Sequence, residues 1–396
     1  MKNVLMLLQK NFPPDIRVEK EAQSLIAAGY RVFLLCKNSK GLSDETIDGL
    51  HIRRQRRITS LALFNRFINF PLFLNPFWLF TVRRLIKKEN INIVHAHDLP
   101  MAPLALLAAG RKVQVIYDMH ENYPAALEAW QRKDWLSRTL KNPLLAQFLD
   151  NFVSRKVDHI LVVVEEFKQE LINRGLPEEK ITVVGNRVDT QTFLQLPIKQ
   201  EIVEKYENDF TMLYAGSFAR DRGLDVPIRA LKPLKNRIPN IRLLLVGDGP
   251  NKDELQQMIA NEGIGHLVEF TGWRPFAEMP SYMKAADVCL IPQPSNAFIN
   301  TTIPHKLFQY AALRRPMIVS DAKPLARNVE KFNMGEIFCS QRVESFVQAI
   351  EKIHFQMNAY YSEDIESMLI AIDWSIDAKK LTSSYSNLSS SRKETE

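Results

Sequence analysis

Short apolar runs alternate with longer amphipathic stretches along most of the chain. In the first half, aliphatic and β-branched residues dominate NVLMLL, RVFLLC, INIVHAH, KVQVIYD, HILVVVE and ITVVGN, a composition typical of buried strands. VEKEAQSLIAAGY and LPMAPLALLAAG lie between these runs and have the apolar spacing of helices. Continuous apolar strands separated by helices predict a parallel sheet that is covered on both faces.

The second half repeats this alternation. FTMLYAG, IRLLLVGDG, LVEFTG, VCLIP and PMIVS have the composition of strands, and the stretches between them have the spacing of helices. A polar stretch near 190–208 separates the two halves. The pattern therefore predicts two doubly wound α/β domains, in which ligands bind beyond the carboxyl ends of the strands.

The composition is typical of a folded, soluble globular protein. The 396 residues are 46% hydrophobic and 24% charged, and that length suits two domains. Cys36, Cys289 and Cys339 are far apart in apolar runs that we interpret as buried strands, so a reducing, cytoplasmic compartment is expected. The amino terminus MKNVLMLLQKNF is too short an apolar run for a signal peptide and predicts the first strand.

The net charge of +7 is partly local to residues 53–88. RRQRR and VRRLIKK bracket an apolar segment there, but Arg66, Pro71 and Pro76 argue against a membrane span. One interpretation is a pair of ordinary helices with basic, solvated ends. The other is a basic, aromatic surface that rests on anionic lipid at the inner face of the plasma membrane. No recognition motif accompanies the charge, so a nucleic-acid partner is not predicted.

Glycines and arginines follow the strands of the second half. GSFARDRGL places Gly216, Arg220 and Arg222 after a strand and before a helix that is expected to begin at about Gly223, which indicates a phosphate site or a solvated surface turn. Gly247 in GDGP permits either the close approach of a ligand or a tight turn. Gly272 and Trp273 in TGWRP could frame a nucleotide base, although Trp273 could equally be a packed surface ring.

The stretch TTIPHKLFQY predicts a second anion site. Thr302 is the expected N-cap and Pro304 suits the first turn of a helix. The amides near Thr301, Thr302 and Ile303 would then point outward at the positive end of the helix dipole. Gln309 could bond a sugar or ribose hydroxyl, or it could lie on a solvated helix face.

Histidines follow two strands of the first half, in HAHD and DMHE. His95, His97 and Asp98 could bind a metal, but no complementary ligand cluster lies nearby in the sequence. The chain contains no Asp-x-Asp pair of the kind that holds a phosphate-bound cation. No metal and no cofactor are predicted.

The order of these motifs, together with PPDIRVEKEAQSLIAAGYRV, ITVVGNRVDTQTF and IDWSIDAKKLTSSYSNL, resembles the retaining GT-B glycosyltransferases of family 4, the glycosyl transferases group 1. The resemblance implies an α/β protein with two doubly wound Rossmann-like domains facing each other across a cleft. It implies an acceptor-side domain at 1–195 and a nucleotide-sugar domain at 196–368. A carboxy-terminal helix at 369–388 would cross back to the first domain, and 389–396 is expected to be a disordered tail.

The resemblance also implies roles for individual residues. Arg222 stands where the family has a diphosphate-binding lysine, and Ser217 where it often has an arginine. Thr301 and Gln309 stand where most members carry two glutamates, so the donor would be held differently or more weakly. The implied catalytic residues are His120, Arg222 and Lys306. The implied donor-binding residues are Gly216, Ser217, Arg220, Arg222, Gly247, Gly272, Trp273, Thr301, Thr302, Ile303, Lys306 and Gln309. The implied acceptor-side residues are Asp15, Arg17, Asp98, Asp118 and Glu121.

The resemblance implies a metal-independent, retaining transfer of a hexose-type sugar from a UDP- or GDP-sugar to a glycan or lipid-linked acceptor. Such a reaction belongs to the assembly of cell-envelope polysaccharide or glycolipid. Two alternatives stay open at this point, because architecture does not fix activity. They are a nucleotide-sugar 2-epimerase on the same scaffold and a catalytically silent GT-B binding subunit.

Overall fold

The computed structural model describes residues 2–55, 73–129, 142–361 and 365–391. The chain forms two compact units. The first unit contains residues 1–185 and 377–396, and the second contains residues 186–376.

An eight-stranded sheet forms the core of the first unit. Its order is β3-β4-β2-β1-β5-β6-β7-β8, and every neighbouring pair is parallel except β3 with β4. The strands are β1 (Asn3–Asn11), β2 (Arg31–Lys37), β3 (Glu45–Ile47), β4 (Leu50–Gln55), β5 (Ile93–His97), β6 (Gln114–Met119), β7 (His159–Val162) and β8 (Ile181–Val183). The central strands are buried along their whole length, as their continuous apolar runs predict.

Helices cover both faces of this sheet. They are α1 (Ile16–Ala27), α2 (Pro76–Lys88), α3 (Ala102–Ala109), α4 (Tyr123–Ala129), α5 (Pro143–Lys156) and α6 (Glu165–Asn173). The crossover through α1 leads to one side of β1, whereas those through α2, α3 and α5 lead to the other side. Because such crossovers are right-handed, α2, α3 and α5 lie together on the face opposite α1. In agreement, α2 packs against α3, and α3 packs against α5.

The second unit is built around a six-stranded parallel sheet of order β11-β10-β9-β12-β13-β14. The strands are β9 (Phe210–Ala215), β10 (Ile241–Val246), β11 (Val268–Gly272), β12 (Val288–Ile291), β13 (Met317–Ser320) and β14 (Gly335–Phe338). The helices are α7 (Thr190–Leu194), α8 (Gln200–Glu204), α9 (Asp225–Leu234), α10 (Lys252–Glu262), α11 (Met279–Ala285), α12 (His305–Ala312), α13 (Lys323–Phe332), α14 (Val343–Phe355) and α15 (Ile365–Ile372). The last helix, α16 (Trp374–Ser391), begins in the second unit and continues in the first.

The unit boundaries differ from the predicted ones. The second unit begins at 186, not 196, because Asn186 donates a hydrogen bond to the carbonyl of Ile303 and Val188 pairs with Asp373. The predicted single helix at 369–388 is two helices, which are separated at Asp373. Helix α16 extends to Ser391, so residues 389–391 are helical where a disordered tail was expected, and 392–396 lie outside the described residues.

Three local expectations are wrong. Pro304 is the N-cap of α12, with no side-chain cap, because Thr302 is extended and closes the preceding short turn. The segment Arg220–Arg222 is a 3-10 turn, and α9 begins only at Asp225. Cys339 is exposed just after β14, whereas Cys36 and Cys289 are buried as predicted. Within the described ranges, no helix combines the length and apolar content needed to cross a membrane.

Candidate functional site

Glycines close the carboxyl edge of the second sheet. Gly216 donates its N–H to the carbonyl of Val246 at 2.9 Å, and Gly247 donates to the carbonyl of Gly272 at the same distance. A Cβ on Gly247 would lie 1.9 Å from the Gly216 carbonyl oxygen, so the three loops after β9, β10 and β11 can pack this closely only without a side chain there. The carboxyl edge of the second sheet is therefore closed by tightly packed backbone, and Lys306 and Tyr214 lie against Gly216.

Two cations lie at this edge. The Lys306 ammonium is 3.9 Å from the centre of the Tyr214 ring, and a Cβ on Gly216 would lie 3.1 Å from it. Burial, and then the charge of the neighbouring Arg222, lower the pKa of Lys306 well below its ordinary value. Because Lys306 lies against Gly216 and Tyr214, the turn after β9 and the start of α12 meet at the same edge of the sheet. Lys306 and Arg222 can together neutralise a diphosphate.

The segment before α12 is fixed by hydrogen bonds within the unit. The Thr301 hydroxyl donates to the carbonyl of Phe298 at 2.8 Å, and Thr301 is buried. Asn186 donates to the carbonyl of Ile303 at 2.7 Å. The buried Gln309 lies in the second turn of α12, and its side chain makes no hydrogen bond within the part of the chain that the structure describes. The loop is thus held in place, and the Gln309 amide keeps its bonding capacity for a ligand.

Other predicted donor residues are more exposed. Arg220 is exposed and forms an ion pair with Glu254 on α10. Trp273 is 74% exposed, so its ring is available for stacking but is not packed in the structure. Ser217 is exposed, and its carbonyl accepts a hydrogen bond from the Tyr214 hydroxyl at 2.9 Å.

A buried ion pair organises the first unit. Asp15 caps α1 by accepting a hydrogen bond from the N–H of Val18, which directs Arg17 in the first turn toward the sheet. Arg17 donates to both carboxylate oxygens of Asp118 at 2.7 and 3.2 Å, and it also bonds the carbonyls of Val184 and Gly185. Both side chains are at most 3% exposed. Arg17 and Asp118 therefore act from beneath the surface, where direct contact with an acceptor is excluded.

Asp118 in turn holds His120. The His120 ring nitrogen Nε2 lies 2.7 Å from the Asp118 carboxylate, and Nδ1 lies 3.7 Å from that of Asp98. Asp98 adopts a positive φ of 62° and accepts the backbone N–H of His120. Burial alone would lower the pKa of His120, but the charges of Asp98 and Asp118 raise it to about 9. The 14% exposed ring is thus an imidazolium at neutral pH.

His95 and His97 lie on the same side of β5, and their rings stack at 4.4 Å. Burial lowers the pKa of both, to about 3 for His97, so both are neutral. His95 Nδ1 lies 2.6 Å from the hydroxyl of Tyr385, a buried residue of α16. Burial also raises the pKa of Glu21 to about 8, despite the adjacent charge of Arg17.

Glu21, His95, His97 and Asp118 lie close enough to hold a metal, since one donor atom from each falls within 4.8 Å of the others. Arg17 Nη2 lies 3.0 Å from Glu21 and 2.7 Å from Asp118, so a guanidinium already neutralises Asp118, while the raised pKa of Glu21 keeps that group protonated at neutral pH. A dication beside this guanidinium would face direct repulsion in a buried, low-dielectric site. We interpret the cluster as a charge-balanced network, not a metal site.

Three of the predicted acceptor-side residues surround a lysine that the sequence did not single out. Burial would lower the pKa of Lys10, but the charges of Asp98, Asp15 and Glu121 raise it. Asn186 and Tyr385 were also missed, because their partners are distant along the chain, as was Glu21, which contacts Arg17 and lies near His95. The one local sequence feature that pointed to this buried network is PPDIRVEKE, in which Arg17 and Glu21 are one helical turn apart.

Family models match both units. The model described as Glycosyltransferase Family 4 matches residues 16–192. The model described as Glycosyl transferases group 1 matches residues 197–356. The two matches together include the motifs from Asp98 to Gln309.

Named relatives are moderately similar. The UDP-Gal:alpha-D-GlcNAc-diphosphoundecaprenol alpha-1,3-galactosyltransferase of Escherichia coli is 24% identical over 332 residues, which cover 82% of this chain and 80% of that protein. The alpha-D-kanosaminyltransferase of Streptomyces kanamyceticus is 21% identical over 286 residues, covering 70% and 71%.

Solved structures share the fold. Sucrose-phosphate synthase from Thermosynechococcus elongatus has a TM-score of 0.79 at 15% identity and covers 99% of this chain and 100% of its own. Anabaena HepE in complex with UDP and glucose has a TM-score of 0.71 at 15% identity, covering 98% and 100%. The predicted α/β architecture with two Rossmann-like domains is confirmed. The chain belongs to the glycosyl transferases group 1, the family 4 glycosyltransferases of GT-B fold, and is a glycosyltransferase.

Proposed function

We propose that this glycosyltransferase moves a hexose-type sugar from a nucleotide sugar, a UDP- or GDP-sugar, to a glycan or lipid-linked acceptor. In this proposal the transfer retains the anomeric configuration, needs no metal or cofactor, and serves the assembly of cell-envelope polysaccharide or glycolipid. The enzyme works in the cytoplasm and contacts the inner face of the plasma membrane through residues 53–88. Residues 56–72 of that segment lie outside the described part of the chain.

One observation carries the proposal: Lys306 lies against Gly216 and Tyr214 at the carboxyl edge of the second sheet, and Arg222 is near enough to act on it electrostatically. The Arg222 guanidinium, together with Lys306 in its ammonium form, would stabilise the negative charge that a departing nucleoside diphosphate develops. The presence of these two side chains supports catalysis without a divalent ion, because the protein itself supplies the positive charge that neutralises the diphosphate. The UDP in the Anabaena HepE complex supports a uridine donor.

Each unit supplies its own group to the substrates. His120 presents an imidazolium that Asp98 and Asp118 maintain, suited to hydrogen bonding with a sugar oxygen as charge develops. Gln309 supplies a neutral amide to a sugar or ribose hydroxyl, in place of the family glutamate. The acids around Lys10 are suited to acceptor hydroxyls. Buried Cys36 and Cys289 support a reducing compartment.

A catalytically silent binding subunit is the second candidate, and Thr301 favours it. Its buried hydroxyl donates to Phe298, so it does not replace the family glutamate as a ligand. Transfer or hydrolysis of a nucleotide sugar by the purified protein would eliminate this candidate. A 2-epimerase would instead yield epimerised donor without any acceptor.

Calorimetric titration of UDP and GDP tests the donor site. Arg222→Ala should weaken the preferred nucleotide by at least tenfold, because a charge-assisted bond to phosphate contributes about 1.5–3 kcal/mol. Arg229→Ala is the matched control, since Arg229 is an exposed arginine of α9 in the same unit. Equal affinities for both variants and the native protein would refute the assignment of Arg222.

Product analysis tests the reaction. A radiolabelled sugar from a donor panel should transfer to acceptor in the presence of EDTA, and NMR of the new linkage should show the donor's anomeric configuration. Activity that requires added divalent metal would contradict the metal-independent mechanism. An inverted linkage would contradict retention.

A further inference from the structure

Three neighbouring helices of the first unit share an unusual surface. Helices α2, α3 and α5 lie side by side on the sheet face opposite α1. Six large apolar side chains on them are well exposed: Phe77, Phe80, Leu107, Leu144, Phe148 and Phe152. We call the outer surface of these three helices the three-helix face. Scattered exposed apolar residues are ordinary, but six on three adjoining helices are a concentration that favours an interaction surface.

The apolar residues are in register on each helix. Leu144, Phe148 and Phe152 follow one another at four-residue intervals along α5 and are 80, 66 and 52% exposed. On α2, Phe77 and the 70% exposed Phe80 lie three residues apart, which places them on the same side of the helix. These side chains project outward as a row, not as isolated positions.

The charges on the same helices have a single sign. The exposed cations of α2 are Arg83, Arg84, Lys87 and Lys88, and those of α5 are Arg155 and Lys156. Asp150 is the only acidic residue within the bounds of the three helices, and it is buried against Tyr117 and Arg174. The three-helix face therefore presents aromatic and aliphatic groups with positive charge and no exposed carboxylate.

A basic groove borders α2. It has a volume of about 510 Å³ and is lined by the end of β4 and by one side of α2. Four cationic side chains and one acidic residue, Asp44, line it together with Phe77 and Phe80. Cations beside aromatic rings suit a lipid phosphate headgroup.

We infer that the three-helix face docks on a bilayer containing anionic phospholipid, with α5 as well as α2 at the lipid surface. This inference rests on the membrane contact proposed above for residues 53–88 and extends it to a second helix, Pro143–Lys156. Aromatic and aliphatic side chains enter the interfacial region while the surrounding lysines and arginines bind lipid phosphates. A second copy of the chain is disfavoured as the occupant, because docking face to face would bring like charges together.

Vesicle sedimentation tests the inference with the full-length protein. Vesicles of phosphatidylcholine with about 30% phosphatidylglycerol should bind the protein at least about tenfold more strongly than vesicles of pure phosphatidylcholine. The double variant Phe148→Ser with Phe152→Ser should lose at least about tenfold of this binding. Phe355→Ser is the matched control, because Phe355 is 77% exposed but lies on α14 of the second unit.

Two results would overturn the inference. One is unchanged vesicle binding by the double variant. The other is a native dimer in analytical ultracentrifugation that the double variant converts to monomer, which would make the face a self-association surface. UDP titration of the same samples separates this inference from the proposed function. The double variant should bind UDP like the native protein, whereas a native protein that binds vesicles but no nucleotide sugar would refute only the proposed function.

Discussion

The charge state of His120 is the most direct prediction of the first-unit geometry. A pKa of about 9 instead of an ordinary value of about 6.5 corresponds to about 3 kcal/mol of extra preference for the imidazolium. Replacing Asp98 with asparagine removes one of the two carboxylates that raise this pKa. The amide oxygen can still accept the backbone N–H of His120, which Asp98 accepts at 3.1 Å.

The expected magnitude follows from the separation of the charged groups. Asp98 Oδ2 lies 3.7 Å from His120 Nδ1. At an effective dielectric constant between about 20 and 80, the attraction at this distance is about 1–4 kcal/mol. Asp98→Asn should therefore lower the pKa of His120 by about 1–3, to between about 6 and 8.

NMR titration of the His120 ring protons measures this pKa directly. Asp48→Asn is the matched control, because Asp48 is an exposed aspartate of the same unit whose positive φ of 47° asparagine also tolerates. An unchanged pKa in Asp98→Asn would refute the electrostatic assignment. So would an equal change in the control.

The same group predicts how stability depends on pH. A histidine pKa that is raised in the folded state stabilises fully below the unfolded value of about 6.5, and this stabilisation is lost as pH rises through about 9. The contribution of His120 to the free energy of unfolding should therefore fall between pH 6.5 and 9 in the native protein. In Asp98→Asn the loss should be smaller and complete at lower pH, as urea unfolding at a series of pH values would show.

Further predictions concern the buried network and the donor site. Arg17→Met should destabilise the protein by about 3–5 kcal/mol in urea unfolding, because Asp118 loses its buried partner, whereas the exposed Arg229→Met should change stability by less than about 0.5 kcal/mol. Gly247→Ala should abolish UDP binding and cost about 3 kcal/mol, since its Cβ would overlap the Gly216 carbonyl; native-like nucleotide affinity would contradict the packing of the loops. UDP affinity should fall as pH rises above the lowered pKa of Lys306, because binding requires the ammonium form of this side chain. Calorimetry at several pH values should show a weaker pH dependence for Lys306→Arg.

The strands and most helices were predictable because burial on both faces of a parallel sheet leaves continuous apolar runs in the sequence. Helix ends were less predictable. Thr302 has a side chain typical of an N-cap, but α12 begins three residues later, at His305. The intervening Ile303 is held by a hydrogen bond from the distant Asn186 to its carbonyl. Cys339 lies at the end of an apolar run but emerges just beyond β14.

The sequence alone determined the two α/β units, the family and the glycine and arginine loops, because these depend on local periodicity and on residues close together in the chain. Only the tertiary structure decided the charge of each group. Arg17 and Asp118 are 101 residues apart, and His95 and Tyr385 are 290 apart, yet each pair is in contact in the interior. A pKa depends on burial and on which charges lie within a few ångströms. Neither property is encoded by nearest neighbours in the sequence, so the imidazolium of His120 and the lowered pKa of Lys306 follow from the fold.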